Sequence, residues 1–286
     1  MNIAISGITG LIGRALSDEL LSNDHCVTGI VREDFSGEVA HLIEKLQGMD
    51  AVVNLAGAPI LNRWTVKGKE QILRSRLDTT SMLVSAMNQM VSPPEVFVST
   101  SAVNIYDPYE VHDEYSTAYA GDFLSEVCQA WEQEAMKVDE QKVRLNIIRL
   151  GVVLSSSGGA LKKMLLPFRL GLGGKIDEGF QPMPFIHISD LTRAIEWLIT
   201  DPDQKGIYNM VAPQMVSNEE FTRALASVLH RPAFMTIPGV VLKIIYGEAA
   251  QVLTYGQKVV PKRLNEEGFH FGYPDIHSAL TDLLKK

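Results

Sequence analysis

Three glycines, at positions 7, 10 and 13, stand in the run Ala4-Ile-Ser-Gly-Ile-Thr-Gly-Leu-Ile-Gly13. Residues 2–6 read as a short buried strand. From Leu11 onward the apolar positions take helical spacing. A strand, a glycine turn and a helix start in succession form an anion site, because backbone N–H groups and the positive end of the helix dipole face the same point. Gly7 permits the tight turn, Gly10 the close approach of a pyrophosphate, and Gly13 the packing of helix on sheet. The expected ligand is a dinucleotide. The second strand, about 20 residues past the turn, ends in Arg32, followed by Glu33 and Asp34. A guanidinium there suits a 2′-phosphate through its planar fork, and the carboxylates behind it are less well aimed. NADP(H) is therefore expected over NAD(H).

The elements that must hold such a turn are legible. Residues 2–6, 26–31, 50–55, 95–100 and 144–150 read as strands, and 11–22, 38–48, 66–90 and 122–140 as helices. This alternation predicts an α/β protein with a Rossmann-type, doubly wound parallel sheet covered on both faces. Beyond residue 155 the texture changes. Ser155 to Gly159 and Gly171 to Gly174 read as loops, 183–188 leads into a helix at 189–200, and 207–211 reads as a further strand. The remainder, punctuated by Pro232, Pro238, Pro261 and Pro274, reads as a smaller mixed α/β unit. The expected division gives residues 1–155, with 183–212 returning, to the dinucleotide-binding domain. Residues 156–182 and 213–286 form a C-terminal substrate domain.

Composition narrows the function classes. A net charge of −8 without any Lys/Arg run argues against a nucleic-acid partner. Cys26 and Cys128 have no metal-type spacing and fit two unpaired thiols in a reducing compartment. The seven histidines form no ligand cluster, so no metal is expected. No signal peptide is visible, and a cytoplasmic protein is expected. Ile237 to Tyr255 is apolar but broken by Gly239, Lys243, Gly247 and Glu248. It is too interrupted for a membrane span and reads as a packed helix of the second domain, with an amphipathic surface or partner helix as the alternative.

The segments Gly7-Ile-Thr-Gly-Leu-Ile-Gly13, Asn54-Leu-Ala-Gly57, Ser99-Thr-Ser-Ala102 and Phe185-Ile-His-Ile-Ser-Asp190 resemble the extended short-chain dehydrogenases/reductases, a superfamily that includes nucleotide-sugar epimerases. Ser75-Arg-Leu-Asp-Thr-Thr80, Asp122 to Glu132, Met164 to Gly174 and Gly268 to Pro274 further resemble its atypical epimerase-like family of unassigned function. The resemblance covers almost the whole chain. It implies cofactor contacts at the turn (Gly7, Thr9, Gly10, Leu11, Ile12 and Gly13), at Arg32, at Ala56 and Gly57, at Arg76 and at Val152. It also implies that Ser101 meets the substrate carbonyl.

The resemblance fails at catalysis. Typical members carry a tyrosine and, four residues later, a lysine that lowers the phenol's pKa and binds the nicotinamide ribose. Alignment on Trp131-Glu132 puts Leu124 and Cys128 at these positions. Neither can do that work; an unperturbed thiol is uncharged. Asn104 and Asp107 also replace two glycines usual in the adjoining loop. A substitute acid could come from Tyr106, Tyr109, Tyr115, Tyr119, Asp107, His112 or Asp113. The plainer reading of that loop is a solvated segment with a few packed rings. His187 and Arg149 are expected to be structural. Two functions are therefore expected as alternatives. One is an NADP(H)-dependent oxidoreductase or epimerase on a small polar substrate, and the other a non-catalytic NADPH sensor or interaction module. Extended members often dimerise through the helices that here span 66–90 and 122–140, so either a monomer or a homodimer is expected.

Overall fold

A computed structural model describes residues 1–285. The six strands of its central sheet are β1 (Asn2–Ser6), β2 (Cys26–Ile30), β3 (Ala51–Asn54), β4 (Val96–Ala102), β5 (Arg144–Leu150) and β6 (Gly206–Met210). They lie in the order β6-β5-β4-β3-β1-β2, every pairing parallel. The order reverses beside β1, where a crevice opens at the carboxyl ends of the strands. Both faces are buried, so neighbouring residues of one strand feed different cores. Ile3, Ile5, Val53, Val98 and Ile148 face one cluster with α1 (Leu11–Ser22), which supplies Leu16 and Leu20. Ala4, Val52, Phe97 and Ile147 face the other, with α2 (Val39–Leu46), α3 (Val66–Gln89) and α4 (Phe123–Ala135).

The expected elements fall within a residue or two of the observed ones, apart from α4, which ends at Ala135 and not near residue 140. The chain turns there because the Asn88 side chain donates to Lys137 O and accepts from the N–H of Asp139.

After β5 the chain forms α5 (Gly159–Arg169), with Pro167 inside it, where the loop at 155–159 gave way to helix. Residues Val152–Leu154 pair with Phe185–His187, whose chain continues into α6 (Ile188–Thr200). This helix packs on the α1 side of the sheet. The buried Asp190 carboxylate accepts from the N–H groups of Gly272 and Tyr273 at 2.7 and 2.9 Å. Two segments far apart in sequence are thus one clamp. Gly174–Ile176 pairs with Met235–Ile237.

The apolar stretch after Ile237 is not the packed helix expected first but the surface helix that was the alternative. It forms a helix, Gly239–Tyr246, but none of its residues is buried, and Val240, Val241, Ile244 and Ile245 are exposed. The run is short, and its C-terminal end is held through backbone carbonyls: Arg63 donates to those of Ile244 and Ile245. Among the described residues no helix is long and apolar enough to cross a membrane.

Candidate functional site

The glycine turn is built as its spacing requires. Gly7 has φ +73°, and a Cβ there would stand 2.9 Å from the Leu55 carbonyl carbon. At Gly13 a Cβ would stand 2.4 Å from Gly7 O. Only glycine fits either place. Gly10 caps α1 without any side-chain hydrogen bond, so the N–H groups of the first turn have no side-chain partner. Arg14 braces the turn by donating to Thr9 O. Leu11 covers the loop at Gly158 and Gly159.

At the end of β2, Arg32 is exposed and makes no hydrogen bond or ion pair among the described residues. Asp34 is committed elsewhere. Its carboxylate, buried, accepts from the Val31 N–H, Lys45 and His41. Burial alone would raise its pKa, but these donors, Lys45 foremost, hold it below the usual carboxylate range. One of the two acidic residues behind Arg32 is thereby turned inward. The free helix N-terminus and the free guanidinium fit a dinucleotide bearing a 2′-phosphate.

Beyond the turn lies a cavity of about 520 Å³, walled by Ile12, Ala56, Gly57, Arg76, Ser101 and Val152 among others. Six expected contact residues thus meet at one space. A row of hydrogen bonds fixes the strand ends beneath it. Ser6 donates to Asn54 Oδ1, Asn54 to Thr80 Oγ1, and Thr100 to Asn54 O. The Trp131 indole also donates to Thr80. Arg76 lies against Gly57 and over the Trp131 ring, 5.1 Å from its centroid, and donates to Ile72 O and Ala58 O.

Leu124 and Cys128 also wall the cavity, one helical turn apart on α4. Burial, reinforced by the neighbouring Glu132 charge, pushes the Cys128 thiol up to about 12. It is no substitute for an ammonium. The tyrosine loop supplies no replacement either, since none of Tyr106, Tyr109, Tyr115 and Tyr119 reaches the cavity wall. Tyr106 is fully buried, bonded to Arg149, Asn209 Oδ1 and Asp113 O, and burial pushes its phenol up to about 12. His112 stacks on Tyr106 and bonds Asp107. Asp113 pairs with Lys262, and Glu114 accepts from the N–H groups of Asn209 and Arg263. These groups bind the C-terminal segment to the end of the sheet. His187 likewise is structural. It accepts from Ser189 N, stacks on Tyr273 and stands 3.4 Å from Asp282.

What the sequence reading missed is Glu132. The Ser101 hydroxyl donates to Glu132 Oε1 at 2.6 Å. Arg149, opposite Ser101 in the sheet, holds that carboxylate by Nε and Nη2, each at 2.8 Å. All three side chains are buried. A signal existed: Glu132 follows Leu124 and Cys128 by eight and four residues, on the buried face of an amphipathic helix. Ser101 has one proton, and Glu132 takes it. The serine therefore presents lone pairs to the cavity, an acceptor for a substrate hydroxyl.

Residues 3–211 match the NAD dependent epimerase/dehydratase family. The chain belongs to that family. Residues 237–283 match a domain of unknown function that carries no further description. The chain is 37% identical over 293 residues to the mouse epimerase family protein SDR39U1, covering 99% of this chain and 100% of that one. The crystal structure of human SDR39U1 with NADPH superposes with a TM-score of 0.93 at 35% identity, covering 99% of each chain. UDP-glucuronic acid 4-epimerase from Bacillus cereus, at 17% identity and a TM-score of 0.79 over 99% of this chain and 98% of that one, shares the fold. The α/β architecture with its parallel six-stranded sheet is thus that of the family.

Proposed function

We propose that this family member holds NADP(H) and exchanges hydride with a small alcohol or carbonyl compound at Ser101, without a Tyr–Lys dyad. The glycine turn and α1 N-terminus would take the pyrophosphate, Arg32 the 2′-phosphate, and Gly57, Arg76 and Val152 the nicotinamide end. The structure of the human relative with NADPH supports the choice of cofactor. When bound, the nicotinamide supplies or takes the hydride.

The observation that carries the reading is the Ser101–Glu132–Arg149 chain. Ser101 Oγ accepts the substrate O–H. As the C–H bond gives up its hydride, the hydroxyl proton moves to Ser101 and the serine's own proton moves on to Glu132. Reduction runs the same path backwards from the form with Glu132 protonated: Glu132 gives its proton to Ser101 as Ser101 turns its own to the carbonyl oxygen. Ser101 touches substrate, whereas Glu132 and Arg149 act through it as positioning residues. An epimerase would use the same exchange twice on opposite faces, with no net change in cofactor.

A second reading, an NADPH-binding protein without turnover, is favoured by Leu124 and the buried thiol of Cys128 at the dyad positions. Nicotinamide absorbance decides between them. The proteins are supplied with NADP⁺ and neutral alcohols, or NADPH and carbonyl compounds, including nucleotide sugars. Turnover that disappears in Ser101→Ala supports the enzyme. NADPH binding with silence across both panels selects the sensor.

A further inference from the structure

The cavity is mostly apolar, unlike one built for the small polar substrate expected from the sequence. Leu124 and Val127 line it from α4, Leu61 from the loop after β3, Met164 from α5, and Val252 and Leu253 from the segment after the exposed helix. Only two charged side chains border it among the described residues, Arg76 and Lys163. Two donors of Arg76 already end on the carbonyls of Ile72 and Ala58, its guanidinium lies over Trp131, and Lys163 is exposed. A diphosphate brings negative charge that must be paired when it leaves water. Exposed Lys163, which has no ion pair among the described residues, is the one cation left to pair the two charges of a diphosphate.

One polar group stands apart. Gln257 borders the cavity, is only 7% exposed, and its side-chain amide makes no hydrogen bond among the described residues. Its position is fixed, because a Cβ on the preceding Gly256 would stand 1.8 Å from Pro182 O. Buried amides are ordinarily satisfied, and this one lies in the wall of the cavity without a protein partner among the described residues. Asn104, beside Ser101, also lacks a side-chain hydrogen bond among the described residues and borders the same space.

Resting on the NADP(H) reading above, we propose that the substrate is an uncharged compound with a largely apolar body. It carries its reacting hydroxyl or carbonyl at Ser101 and a second polar group at Gln257. The apolar walls supply affinity and the amide supplies orientation. A nucleotide sugar fits these walls less well, since its diphosphate would meet a single exposed lysine.

The test uses the full chain. NADPH is titrated first by its fluorescence, and failure to bind at this stage overturns the cofactor reading itself. On protein saturated with NADP⁺, calorimetry then compares a neutral bicyclic hydroxy-ketone, 4-hydroxy-1-tetralone, with UDP-glucose. The expected result is binding of the hydroxy-ketone at least tenfold tighter than that of UDP-glucose. Gln257→Leu should weaken the hydroxy-ketone about tenfold, and Leu253→Asp, which puts a charge into the wall, by more. NADPH binding by each variant reports that it has folded, and Gln257→Glu, nearly the same size, serves as the second variant at that position. UDP-glucose binding as tightly as the hydroxy-ketone overturns the proposal. So does the absence of binding by both, or a Gln257→Leu variant with unaltered affinity.

Discussion

Ser101 and Glu132 are 31 residues apart, and the Ser101 hydroxyl donates to the Glu132 carboxylate at 2.6 Å across the crevice end of the sheet. The consequence is directional, since the serine's proton is spent inward and its lone pairs face the cavity. Ser101→Ala should leave NADPH affinity within about twofold and lower turnover on the order of 100-fold, the usual loss of a proton-transfer group. Glu132→Gln keeps the shape but not the base. It should lower kcat much more than it changes KM, and steady-state kinetics on the folded variant separates these parameters.

The same carboxylate carries a structural load. Arg149 is fully buried and balanced by Glu132, so Arg149→Met strands a buried charge. Its unfolding free energy in urea should fall by about 3–5 kcal/mol. The double variant Arg149→Met with Glu132→Leu should lose less than the single one, because no ion is then left unpaired. A larger loss in the double variant would contradict this account of the pair.

Arg32→Ala should weaken NADPH by about 1.5–3 kcal/mol, roughly ten- to a hundredfold, while leaving NADH almost unchanged. Parallel fluorescence titrations with the two cofactors measure this. Equal weakening of both would remove the guanidinium from the 2′-phosphate.

Asp34 sets a pH dependence. Its folded pKa lies below the unfolded value of about 3.9, since Lys45, the Val31 N–H and His41 outweigh the effect of burial. The stability it contributes is present above that unfolded value and is lost as pH falls through the lower folded one. Acid unfolding monitored from pH 6 downward should be shallower in Asp34→Asn, because the variant has no such proton to take up.

Thiol chemistry gives a test of burial. Cys26 is exposed and Cys128 buried, with its thiol pushed up to about 12 by burial. At pH 8 an aromatic disulfide reagent should therefore titrate Cys26 alone in the native protein. Both cysteines should react in denaturant. Rapid native reaction of Cys128 would reopen its role in catalysis.

The sequence by itself determined the frame. Alternating strands and helices and the glycine turn are local signals, set by backbone sterics and periodicity, and the fold reproduces them almost residue for residue. The dyad positions at Leu124 and Cys128 were legible for the same reason, since one helical turn relates them. Only the tertiary structure decided what surrounds them. It took parallel register to put Arg149 opposite Ser101, and helix packing to bring Glu132 to both. It took the C-terminal segment, folded back over the crevice, to set Leu253 and Gln257 in the cavity wall. The apolar helix after Ile237 was legible as a helix but not in its exposure, because exposure depends on what the rest of the chain leaves uncovered. Polar side chains are ambiguous in one dimension. A glutamate within a helix or a tyrosine within a loop becomes an acceptor, a clamp or a solvated group according to partners supplied by distant parts of the chain.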